Sequence, residues 1–108
     1  MIKKVIQAMM DKDYKTLSSC FSEDCKYFDY CPPLCGGTGI YIYGCESVEM
    51  VFRNKFALRG LTYAEPVFDK DDSASFFVSY GGEYLYARLN IEEYDSAGMI
   101  VKAIVHPA

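Results

Sequence analysis

The chain has 108 residues, enough for one hydrophobic core and too few for two. With 51% apolar residues, ten Tyr and seven Phe, it is not a disordered chain. Eleven basic residues against fifteen acidic ones leave a net charge of −4, and no basic cluster exceeds Lys3-Lys4, which argues against nucleic-acid binding through phosphates.

Residues 2–10 place Ile2, Val5, Ile6 and Met9 on one helical stripe. Asp11-Lys12-Asp13 breaks that helix, and Asp13 is a fitting N-cap for a second one reaching Phe21, with Leu17, Cys20 and Phe21 inward. Ser22-Glu23-Asp24 reads as a turn, and 25–30 as a short strand ended by Cys31-Pro32-Pro33. Residues 34–44 are glycine-rich and irregular around a short strand at 40–43. The clearest helix is 46–58, with Val48, Val51, Phe52 and Phe56 as its stripe and Gly60 as its stop.

The period then changes to two. A strand over 62–69 carries Pro66, which suits an edge or a bulge. Lys70-Asp71-Asp72 is a turn. Strands at 73–80 and 83–94 flank Gly81-Gly82, a two-residue hairpin signal, and 99–105 is the last strand after the turn at 95–98. Helices followed by antiparallel strands predict one α+β domain, with the helices on one face of a curved sheet and a pocket between them.

No apolar run approaches the roughly 20 residues of a membrane span. Lys3 and Lys4 precede Val5-Ile6, but Gln7 and Asp11 interrupt any leader-like segment, so a cytoplasmic protein is expected. Five cysteines, at 20, 25, 31, 35 and 45, argue against a disulfide framework. Only Cys31 and Cys35 have the close spacing of zinc ligands; the default is reduced thiols acting as small hydrophobes, with no metal and no cofactor.

Several local strings occur in a telling order. Lys12-Asp13-Tyr14 leads to Leu17, Cys20-Phe21 and Ser22-Glu23-Asp24-Cys25. Gly44-Cys45-Glu46-Ser47-Val48 opens the long helix, and Asp95-Ser96-Ala97-Gly98-Met99-Ile100 precedes the last strand. Over nearly its whole length the chain resembles the nuclear transport factor 2-like superfamily, particularly its SnoaL-like and ketosteroid-isomerase-like small bacterial members. The resemblance implies a cone-shaped, cystatin-like roll: a curved antiparallel sheet closed by three helices from the N-terminal half. It also implies a small apolar or aromatic ligand and a homodimer through the sheet.

By that resemblance Asp29 matches the general base that removes a proton beside a carbonyl. The residue types agree, since a carboxylate among Tyr27, Phe28 and Tyr30 is partly desolvated. An Asp before Cys-Pro-Pro equally suits a turn held by its own side chain. Proton abstraction also needs donors for the developing oxyanion. Val5 falls where the superfamily's isomerase has a tyrosine donor, and Asn90 falls near its second donor. Asn90 is therefore the expected amide donor, and Tyr14, Tyr43, Tyr63 and Tyr86 are candidates for the other.

Strand parity places Arg88, Asn90, Glu92 and Tyr94 on one face and Leu85, Ala87, Leu89 and Ile91 on the other. The resemblance favours Asn90 inward, with Arg88 and Glu92 near the pocket. The expected ligand contacts are Tyr14, Tyr27, Phe52, Tyr86, Arg88 and Glu92. His106, the only histidine, is expected to be exposed. The functional expectation is a small-molecule-binding domain, whose catalytic form is a cofactor-free isomerase or cyclase moving a proton on an apolar carbonyl compound. Its rival is a non-catalytic ligand-binding or protein-interaction module of the same fold.

Overall fold

A computed structural model describes residues 1–70 and 72–108, apart from the side chains of Cys35 and Lys70. The Asp71 part of the predicted turn at 70–72 and the Cys35 thiol lie outside the described residues. Helix α1 (Ile2–Met10) buries Ile2, Val5, Ile6 and Met9, the stripe read from the sequence. Asp13 caps α2 (Tyr14–Ser19), accepting the Thr16 N–H at 3.1 Å and the Thr16 hydroxyl at 2.6 Å. Helix α3 (Cys45–Phe56) turns Val48, Phe52, Lys55 and Phe56 inward.

The strands are β1 (Phe21–Asp29), β2 (Ile40–Tyr43), β3 (Leu61–Lys70), β4 (Ser73–Tyr80), β5 (Tyr84–Tyr94) and β6 (Ile100–Pro107). They form one open, curved sheet in the order β2-β1-β6-β5-β4-β3. Among the described residues, only β1 and β6 run parallel; the other pairs are antiparallel. The apolar stripes of the helices lie against one face of this sheet, where Leu17, Val48, Phe52, Leu89 and Ile100 are fully buried. The α+β arrangement with three helices is the one expected.

Three local expectations are corrected. Strand β1 begins at Phe21 and absorbs the predicted turn at 22–24, because Phe21 pairs with Ile100 and the register shifts before Lys26. A bulge of this kind holds turn-like residues inside a strand. Helix α3 stops before Gly60, capped by Ala57 in ordinary helical geometry. Gly60 serves a close approach instead: a Cβ there would lie 2.6 Å from the Gly81 Cα. The β4–β5 loop takes in Glu83 as well as the two glycines. The Ser79 hydroxyl holds it, accepting from the Gly81 N–H at 3.2 Å and donating to the Gly82 carbonyl at 3.0 Å. Pro66 sits as expected on an edge strand, at a register break where Glu65 has φ 52°.

Candidate functional site

Alternation along β1 turns Cys25, Tyr27 and Asp29 toward the helices. At the end of the strand the chain enters a short turn, Pro32–Cys35. One Asp29 oxygen, Oδ1, accepts the Cys31 N–H at 2.9 Å, so the turn-holding role read from the sequence is present. The other, Oδ2, lies 3.5 Å from Lys55 Nζ, and these two side chains are 3% and 8% exposed. Lys55 comes from the last turn of α3, on the stripe that also carries Val48 and Phe52. Its ammonium lies over the rings of Tyr80 at 5.1 Å and Phe52 at 5.5 Å. Burial pulls the Lys55 ammonium below the ordinary lysine range, and the Asp29 carboxylate opposes that pull.

A cavity of about 10 Å³ lies beside the pair, lined in part by Tyr27, Asp29, Cys31, Lys55, Tyr63 and Tyr80. It holds roughly one water molecule. The Tyr63 hydroxyl is buried and has no hydrogen-bond partner among the described residues. Burial pushes its phenol well above the usual value, and Tyr80 and Asp29 add to this. Tyr27 is raised in the same way, by burial first and then by Asp29. Outside the cavity runs a groove of about 360 Å³ between Leu34, Tyr80, Gly82, Glu83 and Leu85. Tyr80 lines both spaces, and its ring lies under the Lys55 ammonium.

Of the sequence-derived site residues, the structure brings Asp29, Tyr27 and Phe52 together. Phe52 packs edge-on against Tyr27 at 5.2 Å. Tyr14 is half-buried against the core and does not line the cavity. The expected inward placement of Asn90, Arg88, Glu92 and Tyr86 is overturned. Leu89 pairs with Val105, which pairs with Asp29 and lines the cavity, so Leu89 shares the inner face and Asn90 takes the other. The physical reason is apolar burial: Ala87 and Leu89 are fully covered and Ile91 is 5% exposed, an outcome available only with that face against the helices.

On the outer face, the Asn90 amide nitrogen lies 2.9 Å from His106 Nε2, which leaves His106 half-buried and not free in solvent. Arg88 pairs with Asp69 and donates to the Ser73 hydroxyl at 3.0 Å. Tyr86 stacks at a tilt on Phe77 at 4.8 Å, and Glu92 is exposed. Sequence reasoning passed over Lys55 and Tyr80. The signal for Lys55 was available: it sits three residues after Phe52 and four after Val51, on an otherwise apolar stripe. Tyr63 was one of four candidate donors, and nothing in its surroundings along the chain separated it from the others.

Among the described residues, no three His, Cys, Asp or Glu side chains gather as metal ligands. Burial pushes the Cys25 thiol up to about 11, which disfavours a thiolate there. No described helix is long and apolar enough to cross a membrane.

No protein-family model matches this chain, and no curated protein does. Solved structures do match. A SnoaL-like protein of unknown function from Burkholderia thailandensis is 19% identical, with a TM-score of 0.59, over 98% of this chain and 90% of that one. A nuclear transport factor 2-like protein of unknown function from Burkholderia xenovorans is 15% identical, with a TM-score of 0.67, over 99% and 79%. A putative ketosteroid isomerase from Kribbella flavida is 17% identical, with a TM-score of 0.64, over 99% and 74%. The fold is thus the nuclear transport factor 2-like, cystatin-like roll anticipated from the sequence. At these identities the likeness concerns fold, and a fold of this kind carries no single activity.

Proposed function

We propose that this chain is a small-molecule-binding domain that shifts a proton beside the carbonyl of a small, largely apolar compound. The observation that carries the reading is the buried Tyr63 hydroxyl, without a partner among the described residues, on a side chain that lines the same cavity as Asp29 and Lys55. A buried donor without a partner is disfavoured by about 1–3 kcal/mol, and a ligand oxygen in the cavity satisfies it. In this reading the apolar part of the ligand occupies the groove at Leu34 and Leu85. Tyr80 turns aside, the carbonyl oxygen meets Tyr63, and the Asp29 carboxylate takes the proton. Lys55 holds Asp29 in place, and its positive charge faces the charge that develops.

The test is hydrogen–deuterium exchange beside the carbonyl of small ketones in D2O, followed by NMR. Wild type is expected to wash in deuterium, Asp29→Asn to lose the activity, and Tyr63→Phe to lose roughly 100-fold or more, the usual effect of removing one oxyanion donor. Exchange that survives in Asp29→Asn removes Asp29 as the base.

A second reading, a non-catalytic binding or interaction module, also has specific support. Both Asp29 oxygens are already engaged, and the cavity holds about one water. Ketones that shift Tyr63 and Tyr80 resonances without any exchange would establish this reading instead. The proposal includes a homodimer through the outer face of the sheet, where Tyr41, Tyr43, Tyr84 and Tyr86 stand exposed. Analytical ultracentrifugation giving only monomer at high concentration removes that part.

A further inference from the structure

Lys55 is the one buried lysine among the described residues, and it lies at the floor of the proposed ligand site, within reach of a carbonyl that enters past Tyr80. We propose that the Lys55 amine captures a small aliphatic aldehyde or ketone as an imine, with Asp29 as the proton carrier. The inference rests on the small-carbonyl reading above and gives that site a covalent step.

Three features of the geometry support it. The ammonium lies 3.5 Å from Asp29 Oδ2, so proton transfer between them needs no solvent, and the Cys31 thiol is a further titratable neighbour. The ammonium also lies over the faces of Phe52 and Tyr80, which accept no proton, and Lys55 lines the cavity. Tyr63, whose buried hydroxyl has no partner among the described residues, lines the same cavity and can meet a carbonyl oxygen or a departing water there. Desolvation of the ammonium favours the neutral amine that attack requires.

The ammonium passes a proton to the Asp29 carboxylate, and the free amine lone pair forms a bond to the carbonyl carbon. The oxygen takes that proton back from Asp29 and becomes a hydroxyl. Asp29 then carries a second proton from nitrogen to this hydroxyl, the C–O bond breaks, and water leaves. What remains is an iminium with one hydrogen on nitrogen, beside an ionised Asp29. No electrons are exchanged. The iminium is a stronger electron sink than the parent carbonyl, so the same carboxylate is placed to take a proton from the adjacent carbon.

The experiment treats the intact protein with butanal and cyanoborohydride, which delivers hydride to an iminium and fixes it as a secondary amine. Peptide mass mapping then compares Lys55 with the exposed lysines Lys3, Lys4, Lys15 and Lys26. NMR of the same sample without reductant records whether butanal perturbs Tyr63 and Tyr80. Label concentrated on Lys55, saturating with butanal and lost in Lys55→Arg, is the expected result. Arginine keeps the positive charge beside Asp29 and forms no such imine, so this variant guards against mere unfolding. Perturbed Tyr63 and Tyr80 resonances with label only on exposed lysines overturn the imine and leave the small-carbonyl reading standing. With neither perturbation nor Lys55 label, both fall.

Discussion

Replacing Lys55 with Met tests the centre of the site through stability alone. Met keeps the length and apolar stem of the side chain and removes the charge. At 3.5 Å and an effective dielectric constant of about 20, the attraction to Asp29 is roughly 5 kcal/mol. Both side chains are more than nine-tenths covered, so water does not take the place of the lost partner. Breaking such a buried pair from one side typically costs about 3–5 kcal/mol. A deficit of about 3–5 kcal/mol is therefore expected.

The double variant Asp29→Asn/Lys55→Met leaves no buried charge and is expected to recover most of the loss. Urea denaturation followed by far-UV circular dichroism gives these numbers, with tyrosine fluorescence as a second probe in a chain without Trp. A Lys55→Met deficit below about 1 kcal/mol, or a double variant no more stable than the worse single one, refutes the reasoning. The pair would then be a solvent-screened contact, and the site would lose its organising charge.

Because the folded Lys55 amine gives up its proton below the usual 10.5, the unfolded chain binds more protons in that window. This group therefore adds stability as pH rises from its lowered value toward 10.5. Tyr27 and Tyr63 act in the opposite sense, their raised values withdrawing stability above pH 10. Urea midpoints across pH 7–11 should show the gain in wild type and only the fall in the double variant. Gly60→Ala drives a Cβ against backbone of Gly81 and Tyr80 and is expected to cost about 1–3 kcal/mol, whereas Gly82→Ala meets nothing within 4 Å and should be nearly silent in the same melts. Leu89→Ala should cost about 2–5 kcal/mol and Asn90→Ala about 1 kcal/mol or less; the reverse order in calorimetry would return Asn90 to the inner face.

The sequence showed most of the frame because helix and strand periods are local properties. The stripe of α1, the Asp13 cap and the bulge-tolerant Pro66 strand all follow from neighbours within a few residues. Long-range pairing is what local reading missed. Whether 22–24 is a turn or part of β1 depends on Ile100, some eighty positions away along the chain. The role of Gly60 depends on Gly81. The face of β5 was open to local reasoning, and the apolar set Ala87, Leu89 and Ile91 gave the correct answer. The resemblance outweighed it, by matching Asn90 to a position without tracking which way the pleat turned. Asp29 was legible because a carboxylate between aromatics and prolines breaks the local pattern.

Lys55 breaks the pattern in the same way, and its misreading shows how such sites are better found. A lysine on the apolar stripe of a helix loses conformational freedom and hydration, and a Leu or Met there packs without either penalty. The same holds for Asp29 on the inner face of β1 and for the Tyr63 hydroxyl, which Phe would replace with no polar group left unpaired. Each departure taken singly is an ordinary imperfection. All three converge on one cavity beneath Tyr80, whereas the buried serines of β4 lie on the outer face and two of them satisfy Arg88. Elsewhere on the inner face the pattern, packing and strand pairing agree with one another. Departures that gather at one point, in a core otherwise consistent at every level, are what a site under functional demand produces. That clustering, more than the likeness of the fold, is the reason to look for chemistry at Asp29 and Lys55.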